Sequence, residues 1–225
     1  MNHWDQAYSD AEGYKYGEQP NAFLKEQAHR IPAGARVLVP GDGEGRNGVW
    51  LAEQGHEVTS LDNSAVGLAK ADDLARRRQV PLQTVLADLA DWQPEPASAD
   101  AVVLTYLHLP PELRTPVMHK LVQALKPGGL LILEAFHPRQ LHYHSGGPKN
   151  EAMLYTLELL RNDLAAALQE LLATPAELPD LTGCKITHRM FGAGTVQPAE
   201  GQFMVIDFNG TLKKFSYTAS IASGY

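Results

Sequence analysis

The sequence predicts an α/β fold: a doubly wound, mostly parallel sheet with a C-terminal β-rich segment. Short apolar runs alternate with helical patterns between residues 36 and 136, an arrangement that builds a parallel sheet covered by helices. The first run ends in the glycine-rich loop PGDGEGRN, and turn-rich, alternating runs fill residues 183–221. Because the carboxyl ends of parallel strands meet at one edge, we expect a ligand site in the loops that follow residues 39, 61, 88 and 106.

The elements follow one another in a regular order. Each predicted strand is an apolar run that ends at a turn or a glycine, and each predicted helix has apolar residues at helical spacing. Gly55 stands where it would end the first of these helices, and Ser64 where it would cap the start of the second. The predicted strands span residues 35–40, 56–62, 82–88, 99–107 and 128–136; the predicted helices span 47–55, 65–78 and 111–125, with a further helix within 153–178.

Composition excludes several classes of protein. The chain has 26 acidic and 19 basic side chains, so its net charge of -7 provides no field that attracts phosphate backbones, and we expect no nucleic-acid substrate. A single cysteine, Cys184, excludes an internal disulfide framework and a multi-cysteine metal site. The sequence shows neither a signal-peptide pattern nor an apolar run of about 18 residues. These observations predict a cytoplasmic protein that does not bind membranes.

The glycine-rich loop carries two overlapping nucleotide-binding signatures. Gly43, Gly45 and Gly48 form a GxGxxG, as in a dinucleotide site, whereas the loop read from Gly41 forms a GxGxG. Glycines remove the Cβ atoms that would block a ligand, and a helix N-terminus faces the same space. Asp62 closes the second strand, where its carboxylate can accept both hydroxyls of a ribose. The glycines alone do not decide between the two signatures.

The segment after the third strand favours the second signature. ADLADW presents Asp88 where a carboxylate can accept from the amine of adenine while the next backbone amide meets the ring. The series VLVPGDGEG, LDNS, ADLADW, DAVVLTYLHLP and LKPGGLLILEAF resembles the class I S-adenosylmethionine-dependent methyltransferases. The resemblance implies a Rossmann-like methyltransferase fold with S-adenosyl-L-methionine as cofactor, the glycine loop on its methionine moiety, Asp62 on ribose and Asp88 on adenine. The predicted cofactor-binding residues are Tyr16, Gly41, Asp42, Gly43, Gly45, Arg46, Asn47, Asp62, Asn63, Ser64, Asp88, Leu89 and Thr105.

A narrower resemblance covers residues 3–165. The segments WDQAYSDAEGYKYGEQPNAFL, GEGRN, VGLAKA, YLHLP and LEAFHPRQL resemble the small bacterial methyltransferases of the tellurite-resistance and thiopurine methyltransferase group. This likeness implies that the N-terminal segment, with Trp4, Tyr16, Pro20 and Asn21, folds over the cofactor and excludes water. Trp4 and Tyr16 can equally be packing aromatics that hold the segment down. We expect a small-molecule acceptor of the soft kind, with sulfur, selenium or tellurium as the nucleophile.

Few residues are predicted to take part in the chemistry itself. Methyl transfer from a sulfonium is an in-line displacement, so alignment and desolvation supply most of the catalysis. His108, just past the fourth strand, is the candidate catalytic residue, placed to orient an acceptor or take its proton; the alternative is a histidine that only hydrogen-bonds the loop. Residues 137–147 contain three histidines, which predict an acceptor-site loop. No cysteine or carboxylate completes a tetrahedral set there, so we expect no metal.

The C-terminal segment predicts a second domain. HRMFGAGTV, EGQFMVIDF and LKKFSYTASI resemble the Tudor-like or SH3-like small barrel at the C-terminus of UvrD-type DNA helicases, an interaction element that implies a protein partner. The predicted domains are residues 1–178, which bind the cofactor, and residues 183–225, the β-rich module. In the alternative, these strands complete the first sheet, and His188 and Arg189 fall near the acceptor.

Two further functions stay open beside a methyltransferase. An NAD-dependent oxidoreductase would use Gly43, Gly45 and Gly48, but it lacks a recognisable second catalytic domain and leaves ADLADW and LKPGGLLILEAF unexplained. A non-catalytic protein would bind the cofactor and act through its C-terminal module. The leading prediction is a methyltransferase that transfers a methyl group by in-line displacement to a small, soft acceptor.

Overall fold

A computed structural model describes residues 2–144, 146–173, 185–188, 192–200 and 203–216. The chain divides into two compact units, residues 1–171 and residues 172–225. The predicted domain boundary between residues 178 and 183 lies outside the described residues and stays a prediction.

The first unit is built on a five-stranded sheet of order β3-β2-β1-β4-β5, in which every neighbouring pair is parallel. This confirms the predicted doubly wound α/β fold. The order places β1 and β4 side by side at the centre, so the loops after β1, β2 and β4 meet at one edge. The strands are β1 (Arg36–Pro40), β2 (Glu57–Asp62), β3 (Gln83–Leu86), β4 (Ala99–Thr105) and β5 (Leu125–Glu134).

Helices connect these strands, and several of them begin at a capping side chain. The Ser64 hydroxyl accepts from the Gly67 amide and caps the helix that follows β2, as the sequence predicts. The Asn21 carboxamide caps an N-terminal helix in the same way, by accepting from the Leu24 amide. The helices are α1 (His3–Ser9), α2 (Ala22–Gln27), α3 (Arg46–Glu53), α4 (Ala65–Arg78), α5 (Pro111–Ala124) and α6 (Leu157–Ala173).

Alternate residues of the central strands fill two hydrophobic clusters, one on each face of the sheet. Val102 and Leu104 of β4 pack in the cluster that includes Met118 of α5. Ala101 and Val103, which alternate with them, pack in the cluster that includes Leu24 of α2 and Leu51 of α3. Because both faces are covered, polar groups of this sheet reach a ligand only at its ends.

A buried ion pair fixes α6 to α5. The Arg114 guanidinium donates to the Asp163 carboxylate at 2.8 Å, and the Thr115 hydroxyl donates to the other oxygen at 2.9 Å. Both charged side chains are about nine-tenths buried, and removing either one would leave the other charge buried without its partner. The pair therefore fixes which faces of α5 and α6 meet.

The second unit contains a four-stranded antiparallel sheet of order β6-β7-β8-β9. The last two strands are joined by a turn at Asn209 and Gly210, both at positive φ, as the FNGT pattern predicts. In the described residues these four strands pair only with one another, which differs from the alternative in which they complete the first sheet. The strands are β6 (Lys185–His188), β7 (Gly192–Glu200), β8 (Phe203–Phe208) and β9 (Thr211–Ser216).

None of the helices in the described parts of the chain combines the length and the apolar character that a membrane crossing requires.

Candidate functional site

The glycine loop between β1 and α3 depends on backbone conformations that favour glycine. Gly41, Gly43 and Gly45 have φ of +69°, +59° and +83°. A Cβ added to Gly43 would collide with the Tyr8 hydroxyl, and one on Gly45 would lie 2.8 Å from the Ala71 Cα. From the sequence, the missing Cβ atoms were expected to make room for a ligand. The structure corrects this for Gly43 and Gly45, whose empty Cβ positions are filled by the protein's own atoms.

Asp62 has the geometry of a preformed acceptor site. Its carboxylate is about 93% buried at the end of β2 and accepts from the Gly43 amide at 2.8 Å and the Ser64 amide at 2.9 Å. Burial raises the pKa of this carboxyl, and the backbone hydrogen bonds act in the opposite direction. Each carboxylate oxygen has a second lone pair, so two ligand hydroxyls can still donate to Asp62.

Asp42 lies in the same loop but its side chain has a structural role. The carboxylate accepts from the Ser60 hydroxyl at 2.6 Å and from the Gly48 amide at 3.1 Å, and it is buried. Burial raises its pKa to about 6. These contacts fix the first turn of α3 against β2, so only the backbone of Asp42 is left for the predicted contact with a cofactor.

The N-terminal segment, defined here as residues 2–21, lies across these loops. The Asp5 carboxylate accepts from the Ser64 hydroxyl at 2.7 Å at the start of α4, and the Asn2 carboxamide donates to the Asn63 carbonyl at 2.5 Å. A carboxylate is favourable there because the amides of a helix N-terminus point towards it. Asn63 is therefore reached through its backbone, and its side chain is exposed.

A lysine of α4 fastens the same segment to the glycine loop. Lys70 Nζ donates to the carbonyls of Tyr8 and Gly13 at 2.7 and 2.6 Å and to the Glu44 carboxylate at 2.8 Å. The other Glu44 oxygen accepts from the Lys15 amide at 2.7 Å. Neither Lys70 nor Glu44 was singled out from the sequence, because a Lys and a Glu 26 residues apart show no local pattern.

Tyr16 and Arg46 lie together at the outer end of the segment. The Tyr16 side chain is 54% exposed, and the Arg46 guanidinium lies 5.9 Å from the centre of its ring. Arg46 also donates to the Tyr16 carbonyl at 3.4 Å. Both predicted residues therefore remain accessible to a ligand, and Arg46 brings a positive charge to the start of α3.

A polar network joins four elements at the carboxyl edge of the sheet. The Asn47 carboxamide donates to the Thr105 hydroxyl at 2.7 Å and accepts from the Asn21 amide at 2.9 Å. The Asn21 carboxamide in turn donates to the Glu134 carboxylate at 2.6 Å. The structure thus brings the predicted residues Asn47 and Thr105 together and adds Asn21 and Glu134 to them.

The predicted adenine residues follow β3, and they differ from each other. Asp88 is exposed and accepts from the Ala90 amide at 2.9 Å, whereas the Leu89 side chain is buried in the core. Leu86 pairs in register with Asp62 and is 61% exposed. An exposed leucine beside the Asp62 carboxylate is an apolar surface on which a flat ring can lie.

His108 hydrogen-bonds the surrounding loops through both ring nitrogens. Nε2 accepts from the Phe136 amide at 3.0 Å, so Nδ1 carries the proton and donates to the Met153 carbonyl at 2.8 Å. Burial lowers the pKa of this imidazole. Because neither nitrogen is free in this arrangement, the two hydrogen bonds favour the alternative of a loop-bonding histidine, and the catalytic role of His108 stays a prediction.

Tyr106, the residue directly after β4, was not singled out from the sequence. Its backbone is left-handed, with φ of +56°, and its ring stacks on Phe136 with 4.7 Å between ring centres. Phe136 also stacks on His108. A non-glycine residue at positive φ directly after a central strand is the signal that marks Tyr106, and it is visible only in the structure.

The described residues contain no group of three or more His, Cys, Asp or Glu side chains that could hold a metal ion. In the loop of residues 137–147, His137 accepts from the Arg139 amide at 3.2 Å, so it caps a short 3-10 turn. His142 and His144 are exposed in the same loop. The predicted acceptor-site role of this loop stays a prediction.

The sheet order, the glycine loop and the acid after β2 define a class: the first unit has the fold of the class I S-adenosylmethionine-dependent methyltransferases. Residues 37–129 match the family described as a methyltransferase domain. The match covers β1 to β4 and the start of β5. This part of the chain thus resembles a methyltransferase domain.

Individual relatives resemble parts of the chain. The carboxy-S-adenosyl-L-methionine synthase of Vibrio cholerae is 34% identical over 85 residues, which are 37% of this chain and 35% of that protein. The chain spans less than half the length of the curated relatives it matches.

Solved structures show the same fold at low identity. An S-adenosylmethionine-dependent methyltransferase from Mesorhizobium loti is 20% identical with a TM-score of 0.52, over 65% of this chain and 81% of that one. TehB from Haemophilus influenzae is 22% identical with a TM-score of 0.55, over 67% of this chain and 52% of that one. At these identities the likeness concerns the fold alone.

Proposed function

We propose that the protein transfers the methyl group of S-adenosylmethionine to a small acceptor at the carboxyl edge of the first sheet. The observation that carries this proposal is the Asp62 carboxylate, which is buried and fixed by two backbone amides beside the glycine loop. A carboxylate held in this way before a ligand arrives can bind ribose hydroxyls with little further ordering.

The other contacts of the site fit the remaining parts of the cofactor. The exposed Leu86 and the backbone after Asp88 lie on the side of β3, where we assign adenine. Arg46, at the start of α3, carries a positive charge that we assign to the carboxylate of the cofactor's amino-acid end. Tyr16, Gly41, Asn47 and Thr105 fill the space between, and the side chains of Asp42 and Leu89 serve the protein's own packing.

The chemistry needs alignment more than acid or base groups. S-adenosylmethionine supplies a methyl group on a positively charged sulfur, and the sulfur keeps the bonding electrons as an acceptor lone pair takes the methyl carbon. The chain orients the two partners and excludes water with residues 2–21. Because both nitrogens of His108 are hydrogen-bonded, we favour an acceptor that needs no base, such as a thiolate, selenide or tellurium nucleophile.

The second unit supports a separate proposal. Its four strands form an antiparallel sheet of their own, and we propose that residues 183–225 are a module that binds a protein partner. The assignment rests on the resemblance of its sequence to the small barrels of UvrD-type helicases. Arg189, which the alternative places near the acceptor, lies outside the described residues.

The Asp62→Asn variant tests the cofactor site. Asparagine keeps the size of the side chain and one acceptor oxygen but removes the charge, so charge-assisted hydrogen bonds to ribose are lost. We expect binding of S-adenosylhomocysteine to weaken by roughly 1.5 to 3 kcal/mol, measured by isothermal titration calorimetry.

Asp91→Asn is the matched control. Asp91 is exposed in the turn after Asp88, and the substitution removes the same charge as Asp62→Asn. Wild-type protein that binds NAD and not S-adenosylhomocysteine would support the oxidoreductase alternative. Equal affinity of wild type and Asp62→Asn for S-adenosylhomocysteine would remove Asp62 from the ribose site.

A further inference from the structure

Glu134 is a charged residue at the end of β5 that the proposed chemistry does not use. Its carboxylate accepts from the Asn21 carboxamide at 2.6 Å, and its charge adds to the burial that raises the pKa of the Tyr106 hydroxyl. The side chain is partly buried, and it lies where β4 and β5 end side by side. The register pairs Glu134 with Thr105, which itself is bonded to Asn47. Glu134 is thus part of the predicted cofactor edge.

The Asn21 carboxamide, which donates to Glu134, is neutral. In the described parts of the chain, the ion pairs join other acids, and Glu134 is in none of them. The charge of Arg46 acts on the Tyr106 hydroxyl, but its guanidinium turns to the Tyr16 carbonyl. A glutamine would satisfy Asn21 equally well through its carbonyl oxygen. None of these contacts therefore requires the negative charge of Glu134, although partial burial of a charge costs free energy.

Tyr106 adds a second feature to the same place. Its ring is 38% exposed, and its left-handed backbone is strained for a residue that has a Cβ. Stacking on Phe136 holds the ring, and the Tyr106 amide donates to the Glu134 carbonyl at 2.8 Å, which keeps the two residues side by side. An anion next to an aromatic face is a combination that attracts a cation from two directions.

We propose that Glu134 binds an ammonium group of a ligand and that the Tyr106 ring lines one side of this site. The proposal rests on the proposed function, because it needs ligands at this edge of the sheet. Two ligands of a methyltransferase can carry that group: the α-ammonium of the cofactor's amino-acid end, and an amine on the acceptor. The chemistry of recognition is the same for both.

The Glu134→Gln variant separates the effect of the charge from the hydrogen bond with Asn21, since glutamine keeps the acceptor oxygen and loses the charge. The first measurement is calorimetric affinity for S-adenosylhomocysteine and for 5′-methylthioadenosine, which lacks the amino-acid end. If the cofactor supplies the ammonium, Glu134→Gln binds S-adenosylhomocysteine about tenfold or more weakly, while its affinity for 5′-methylthioadenosine is unchanged.

The second measurement uses wild type and variant saturated with S-adenosylhomocysteine and two matched thiols, cysteamine and 2-mercaptoethanol, observed by ligand NMR. If the acceptor supplies the ammonium, wild type prefers cysteamine and Glu134→Gln loses that preference. Glu112→Gln, an exposed change in the first turn of α5, is the control for net charge.

The outcomes distinguish this proposal from the proposed function. Wild-type protein that fails to bind S-adenosylhomocysteine overturns the proposed function, and this inference with it. If wild type binds S-adenosylhomocysteine and Glu134→Gln changes neither measurement, the ammonium site alone is overturned. Glu134 then serves only as the hydrogen-bond acceptor of Asn21. A folded variant is confirmed by an unchanged thermal unfolding midpoint without ligand.

Discussion

At the scale of single residues, the glycines of the loop differ in what they contribute. Gly45 and Gly34 both have positive φ, of +83° and +66°. A Cβ on Gly34 would meet open space, whereas one on Gly45 would lie 2.5 Å from the Ala71 Cβ and 2.8 Å from its Cα. Because the second contact is with backbone, α4 would have to move away from the loop. Gly45 therefore carries a packing requirement in addition to a conformational one.

The Gly45→Ala and Gly34→Ala variants measure these two contributions separately. We expect Gly34→Ala to lower the free energy of unfolding by about 1 to 2 kcal/mol, the cost of a left-handed alanine. Gly45→Ala adds overpacking against Ala71, which costs a further 1 to 3 kcal/mol or so. Urea unfolding of both variants gives the comparison. An equal loss in the two would mean that the contact with Ala71 relaxes without cost.

At the scale of elements, residues 2–21 are held to the rest of the first unit mainly by hydrogen bonds. Asp5 fixes α1 at the start of α4, and Lys70 holds the carbonyls of Tyr8 and Gly13. Tyr8 is the buried anchor of α1, at 5% exposure. An element held by a few polar contacts opens more readily than one that is packed into the core.

The Lys70→Met variant tests how much the lysine contributes. Methionine keeps the length of the side chain but donates no hydrogen bond, and it leaves the buried Glu44 without its cation. We expect hydrogen exchange of the amides of residues 8–16 to rise by roughly 10- to 100-fold, since each charged hydrogen bond lost is worth about 1.5 to 3 kcal/mol.

Lys25→Met in the exposed face of α2 is the matched control and should leave this exchange unchanged. Exchange in residues 8–16 that stays at the wild-type rate in Lys70→Met would show that packing of Tyr8 alone holds the segment.

At the scale of the whole molecule, the chain carries two sheets of different kinds. The first is parallel and needs helices on both faces, and the second is an antiparallel meander of four consecutive strands. All the loops that form the proposed cofactor site belong to the first. The chemistry of the site can therefore be tested without the second unit.

A chain that ends after Leu178, outside the described residues, tests this division. We expect it to unfold cooperatively and to bind S-adenosylhomocysteine with the affinity of the full chain, by calorimetry and urea unfolding. Insoluble truncated protein, beside soluble full-length protein from the same expression conditions, would mean that the removed strands cover the first unit. It would also renew the case for His188 and Arg189 at the acceptor.

The sequence predicts elements well where the determining interactions are local. Residues 65–78 form a helix with the predicted bounds, and its Ser64 cap lies three residues from the amide it binds. The fifth strand was predicted at 128–136 and is observed at Leu125–Glu134. Its first pair, Ala99 with Leu125, is separated from the rest by a register shift, so Gly128 and Gly129, where the predicted strand began, lie inside the observed strand.

The site was predicted in its positions and less well in its contacts. Asp62 is buried at the end of β2, where a spacing argument places it. The partners of His108, by contrast, are 28 and 45 residues away, and Glu134 is 113 residues from Asn21. No periodicity or local motif specifies contacts at such separations, because they depend on how the strands are ordered in the sheet.

The hydrogen bond between Asn21 and Glu134 also sets an order of events during synthesis. Asn21 leaves the ribosome long before β5 exists, and its carboxamide has no carboxylate to bind until β5 has paired with β4. Closing a loop of this length precedes any gain from the contact, so the bond forms late in folding. We therefore expect the N-terminal segment to reach its final contacts only after β5 has formed. A nascent chain that stops short of Glu134 would expose the cofactor edge to solvent and to chaperones.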